Sequence, residues 1–105
     1  MPMEAIHPAI QVTREAITAF CKTWKIRELA LFGSAARGEM RPDSDIDVMV
    51  AFAPEAEWSL WDFAEMREQL KTLLGREVDV VERGTIRNPF RRRSIMRDLT
   101  ILYAA

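Results

Sequence analysis

Apolar positions near the start of the chain recur at a helical period. Ile10, Ile17, Phe20, Cys21 and Trp24 fall on one face of a 3.6-residue repeat. Pro8 stands where a first helical residue tolerates a missing N–H. The spacing predicts an amphipathic helix over residues 8–25, with His7 as a cap at its start. "ELALF" (28–32) is a short apolar run that ends at Gly33, and it reads as a buried strand. "SAARGEM" reads as a short helix or turn and "RPDS" as a loop. "DIDVMVAF" (45–52), rich in Val and Ile, is the clearest strand in the chain.

Ser59 followed by Asp62 has the form of a capping box. Leu60, Phe63, Met66, Leu70, Leu73 and Leu74 line the apolar face of the helix it opens, and Gly75 suits its stop. "EVDVVE" (77–82) predicts a third strand. "NPFRRRSIMRDL" predicts a further helix starting at Pro89, and "TILYAA" either continues it or adds a short strand. This order predicts an α+β fold, a small mixed β-sheet with helices packed on it. With no repeat, low-complexity segment or linker, residues 1–105 read as a single domain.

Composition adds limits. A hydrophobic share of 49% is ample for a core. The formal net charge of -1 argues against electrostatic capture of nucleic acid by the molecule as a whole, and no direct nucleic-acid binding is expected. The charge is uneven, however. Residues 83–98 hold six arginines against one acid, which leaves an excess of acid elsewhere. Cys21 is the only cysteine, so neither an internal disulfide nor a cysteine zinc site can form. The start of the chain lacks the pattern of a signal peptide, and no apolar run approaches a membrane span. The cytoplasm is the expected location.

Two aspartates at the head of the clearest strand raise the question of chemistry. Side chains alternate across a strand, so Asp45 and Asp47 share one face while Ile46, Val48 and Val50 take the other. Their Cα atoms would lie about 6–7 Å apart, near enough for both carboxylates to reach one divalent ion or a pair. Asp79, flanked by Val78 and Val80, is a third acid set in an apolar strand, where a lone charge is costly. Converging carboxylates without cations repel one another. Oxygen-rich acid clusters suit Mg2+, which also binds phosphates. Taken alone, the pair reads better as idle, with Asp43, Ser44 and Asp45 as turn residues and Asp47 on a solvent face. Upstream, Gly33 follows a buried strand and Ser34 opens a helical turn, which offers backbone N–H groups and a hydroxyl to an anion. Arg37 adds a positive charge one turn on. The stretch is neither a Walker loop nor a GxGxxG fingerprint.

Together these pieces form a pattern: Gly33-Ser34, ten residues, Asp45-x-Asp47, and Asp79 on a later strand. "LFGSAARGEMRPDSDIDVMV" resembles the signature of the minimal nucleotidyltransferase (MNT) branch of the DNA polymerase beta-like superfamily. "KIRELALFGS", "LLGREVDVVERG" and "NPFRRRSIMRDLTILY" are similar to the same branch, so the resemblance spans nearly the whole chain.

The resemblance implies a nucleotidyltransferase fold in which Asp45, Asp47 and Asp79 are catalytic and hold two Mg2+ ions. It implies that Gly33 and Ser34 bind the nucleotide triphosphate, with Arg37 and Ser44 as phosphate or sugar contacts. The implied reaction transfers AMP from ATP to a hydroxyl and releases pyrophosphate. Larger relatives carry a helical domain for the acceptor. Stand-alone MNT proteins resemble antitoxins that AMPylate a tyrosine of a HEPN-domain RNase toxin, so a type VII-like toxin–antitoxin pair and a hetero-oligomer with a HEPN toxin are expected. Two other readings stay open: an antitoxin that only masks its partner, and a small-molecule nucleotidyltransferase whose acceptor site needs a second subunit.

Other residues are read more plainly. Cys21 and Trp24 belong to the core of the first helix. Trp58 and Trp61 flank a helix entrance and either pack or anchor a partner. Arg91, Arg92 and Arg93 fan around a helix about 100° apart, as a solvated face or a dock for an acidic partner. Tyr103 reads as a packed tail residue.

Overall fold

In a computed structural model that describes residues 5–7, 10–39 and 45–105, the N-terminal segment is a hairpin. Strand β1 (Ala5–His7) pairs antiparallel with β2 (Ile10–Thr13). Helix α1 (Arg14–Thr23) begins only where the Thr13 hydroxyl accepts from the Ala16 N–H at 3.1 Å. The helix expected over 8–25 is thus corrected to 14–23, and His7 lies in a strand. Pro8 falls outside the described residues. The apolar period of Ile17, Phe20 and Cys21 extends to Ile10 by coincidence. Ile10 and Val12 are β-branched, and Thr13 is a strong N-cap, so the extended backbone wins up to that point.

The later elements follow the expected order: β3 (Ile26–Phe32), α2 (Gly33–Arg37), β4 (Ile46–Phe52), α3 (Leu60–Leu74), β5 (Val78–Glu82), a 3-10 turn, α4 (Pro89–Arg97) and β6 (Thr100–Ala104). The C-terminal "TILYAA" segment is therefore a strand. The four-stranded sheet runs β5-β4-β3-β6 and is mixed. β4 and β5 are parallel, joined by α3 as the crossover such a pair requires, and the other two pairings are antiparallel.

Helices cover both faces of this sheet. On one, Ile17, Phe20 and Cys21 of α1 and Met66, Leu70 and Leu74 of α3 pack with Ile46, Val48, Val50 and Val78. On the other, Ile95 of α4 packs with Ala30, Phe32, Met49 and Ile86. Burial pushes the Cys21 thiol up to about 12, which makes it a core residue and no nucleophile. Trp24 and Trp58 meet edge to face, with ring centroids 5.1 Å apart. The Trp58 indole N–H donates to the Trp24 carbonyl at 2.8 Å, and the Trp24 indole N–H donates to Gln69 Oε1 at 3.0 Å. The buried Trp24 indole and the half-buried Trp58 indole thus both have partners, and the loop leading into α3 is tied to the end of α1. Tyr103 packs against the same core.

The capping box forms as expected: the Ser59 hydroxyl accepts from the Asp62 N–H at 3.1 Å, and the Ser59 N–H donates to the Asp62 carboxylate at 3.0 Å. Ser59→Ala should cost about 1 kcal/mol of stability, read in urea unfolding with an unchanged slope. Leu60 departs from expectation. It is 88% exposed rather than part of the apolar face. As the first residue of α3 its side chain leans toward the helix N-terminus, over the preceding loop.

Candidate active site

The register of the central strands assembles the acids. Phe32, the last residue of β3, lies opposite Asp47 on β4, and Asp47 in turn lies beside Asp79 on β5. Ile46, Val48 and Val50 point into the α1–α3 side of the core, so Asp47 projects on the α4 side with Met49. Asp79 shares that side with Val81, since Val78 and Val80 pack on the other. Asp45 is exposed just ahead of β4, in phase with Asp47. The three acids therefore occupy one sheet face at the ends of neighbouring strands.

Their mutual influence converges on Asp47. Burial raises its pKa first, then the charges of Asp79 and Asp45, while Arg37 and Arg91 pull the other way. Among the described residues no three metal-ligating side chains are gathered into a finished metal cage. The donor set is nonetheless all carboxylate oxygen, and its excess negative charge is what a hard divalent cation offsets. The residues fit Mg2+.

Gly33 holds the turn against this acid. Its φ is +66°, and a Cβ there would fall on the Asp47 carboxylate, with Cγ only 3.3 Å away. Ser34 is the second residue of the short helix α2 and half-buried; the cap position is Phe32, in extended backbone. Arg37 sits on the last turn of α2, where its guanidinium reaches Glu39 at 3.1 Å and Asp98 at 3.5 Å. The hydrogen bond it donates to Glu39 is the chief cause of its raised pKa. Arg37 thus lies near the acids but is held by two others. Ser44 lies outside the described residues.

A further site residue is unexpected. Arg91 on α4 joins Asp79 in the lining of an open cleft of about 740 Å³. Phe52, Trp58, Leu60 and Phe63 form the cleft's apolar wall. The sequence presents Arg91 as one of three consecutive arginines, and only the packing of Ile95 under α4 turns that one toward the acids. No local signal distinguishes it.

The nucleotidyltransferase domain profile matches residues 13–102. The chain belongs to that family. It is 42% identical over 76 residues to a Methanocaldococcus jannaschii protein provisionally named a protein adenylyltransferase, covering 72% of this chain and 76% of that one. A solved minimal nucleotidyltransferase, also provisionally named, superposes with a TM-score of 0.68 at 37% identity, over 83% of this chain and 86% of the other. The fold also matches, at 19% identity and a TM-score of 0.62, a structure of a tri-AMPylated Shewanella oneidensis HEPN toxin in complex with MNT antitoxin, covering 88% of this chain and 70% of that one. The nucleotidyltransferase fold expected from the signature is the fold observed. Among its described residues, no helix is long and apolar enough to cross a membrane.

Proposed function

We propose that this nucleotidyltransferase transfers AMP from ATP to a protein hydroxyl, a tyrosine of a HEPN RNase toxin, and acts as the antitoxin of a type VII-like pair. The observation that carries the reading is the register that sets Asp47 between Asp79 and the Gly33 turn. The named activity of the relative and the HEPN complex among the structural neighbours support this choice of acceptor.

Asp45, Asp47 and Asp79 would hold Mg2+, with two ions expected. When bound, Mg2+ neutralises phosphate charge and aligns the reacting oxygens. Gly33 and Ser34 are assigned to the triphosphate. Arg37 is assigned to the phosphates once it leaves Glu39 and Asp98, with Ser44 as a phosphate or sugar contact. The acceptor oxygen bonds to the α-phosphorus as the bond to the β-phosphate breaks, releasing pyrophosphate, and the acceptor loses its proton. Asp79 lines the open cleft, so the acceptor enters from that side. The chain's part is positioning and electrostatics.

The test is direct. The full chain is incubated with labelled ATP, Mg2+ and the product of the neighbouring gene, and AMP is sought on that product by intact mass. The expected adduct disappears with Asp45→Ala/Asp47→Ala. If that variant still suppresses toxicity and the wild type forms no adduct, the protein is a masking antitoxin and the transferase reading fails.

A further inference from the structure

The mouth of the cleft is built for adhesion. Among the described residues only four large hydrophobic side chains are strongly exposed, and three belong to the segments flanking this cleft. Leu60 and Trp61, 88% and 86% exposed, open α3; Phe90, 79% exposed, precedes Arg91 at the start of α4. Leu60 and Arg91 both line the cleft, so the two helix starts face each other across it.

Charge completes the surface. Arg87, Arg91, Arg92 and Arg93 are all exposed. Among the described residues no ion pair uses any of these four. Arg91, Arg92 and Arg93 stand in the first two turns of α4, whose first turn has no acid. The positive end of a helix disfavours cations there. Arg92 and Arg93 therefore work against the stability of their own helix, with no ion-pair partner among the described residues to offset them.

We infer that this apolar–basic rim docks an acidic, leucine- and aromatic-bearing segment of the acceptor protein, and so delivers the acceptor hydroxyl to Asp79. The inference rests on the proposed protein acceptor and adds the chemistry of its docking segment. Arginine and tryptophan beside apolar anchors are the side chains that concentrate binding energy at protein interfaces. A nucleic acid is the poorer occupant: beside the arginines the rim exposes Leu60, Trp61 and Phe90, and a sugar–phosphate backbone offers no aliphatic side chain for Leu60 to bury.

The probes are short synthetic peptides carrying one tyrosine among glutamates and leucines, or among lysines and leucines. Binding is read by fluorescence anisotropy and AMP transfer by intact mass. The glutamate peptide should bind more tightly and be modified with the lower KM. Arg92→Glu/Arg93→Glu should weaken its binding about tenfold at about 50 mM salt and less than about threefold at about 500 mM, because screening removes the charge effect. The KM for ATP should not change. Trp61→Ala should weaken binding by one factor at both salts. Arg92→Gln/Arg93→Gln, with an unchanged circular dichroism spectrum, should fall between wild type and reversal. Equal use of both peptides, no binding of either, or indifference to the reversal overturns the docking surface. Single-stranded RNA that outcompetes the glutamate peptide overturns it in favour of nucleic acid. Selective, arginine-dependent binding of the glutamate peptide without AMP on either peptide supports the docking surface and counts against the transferase reading.

Discussion

Asp47→Asn should cut AMP transfer on the order of a thousandfold and at the same time make the metal-free protein more stable. The two effects have one origin. Asp47 is half-buried against the Gly33 turn with Asp79 beside it and Asp45 in phase. Burial and these like charges raise its pKa, so its charged form is held at a cost. An acid whose folded pKa lies above its unfolded one stabilises the fold least at neutral pH. Its contribution is fully favourable below the unfolded carboxylate range and is lost as pH rises through the folded pKa. Asparagine has no such titration. In EDTA at neutral pH the variant should therefore gain about 2–4 °C in Tm, allowing for solvent screening of a site this open. The advantage should vanish in acid, where Asp47 is protonated in both states. Transfer should fall on the order of a thousandfold, the scale for losing one preorganised electrostatic contact to a transition state. Adding Mg2+ should raise the Tm of wild type more than that of the variant. A variant less stable than wild type in EDTA would show that the Asp47 charge supports the turn, and the strained-acid account would fail.

Such a charge arrangement was partly legible in the chain itself. Period-2 alternation put Asp45 and Asp47 opposite Ile46 and Val48, and the observed core places them so. The α3 capping box, the Gly75 stop and Pro89 at the start of α4 are local devices, readable because the partners lie within a few residues. What failed had a competing local signal or a long-range cause. The N-terminal hairpin was hidden because Ile10 fits a helical repeat, while its β-branched neighbours and the Thr13 cap favour the strand. Leu60 fits the helix stripe but falls on the first residue of α3, where it is exposed. Arg91 is chemically identical to Arg92 and Arg93, and its nearness to Asp47 arises from packing of α4 on a strand far away in sequence. Register was invisible as well: the Asp45–Asp47 pair and Asp79, on two separate segments, came together only because Asp47 pairs with Asp79 across parallel strands.

Gly33→Ala should damage the enzyme in a way that another left-handed glycine does not. Gly33 and Gly75 have φ values of +66° and +72°, a region that costs a residue with a Cβ about 1–2 kcal/mol. At Gly75, the stop of α3, an added Cβ meets nothing within 4 Å. At Gly33 it meets the Asp47 carboxylate. Gly75→Ala should therefore lose only the backbone term, about 1 kcal/mol, and keep its activity per folded molecule. Gly33→Ala must also push Asp47 away or shift the end of β3, and neither can move alone because Phe32 and Asp47 are paired in register. Displacement of reacting groups by about 1 Å costs on the order of a hundredfold in rate. The expected result is thus a similar loss in urea stability for the two variants, with a further packing cost at Gly33, but loss of AMP transfer in one alone. Gly33→Ala/Asp47→Ala should recover the packing cost, since the shorter side chain removes the contact, and should recover no activity. If Gly33→Ala transfers AMP as fast as Gly75→Ala, the close approach of this turn to Asp47 has no part in the chemistry, and Gly33 is retained for its backbone alone.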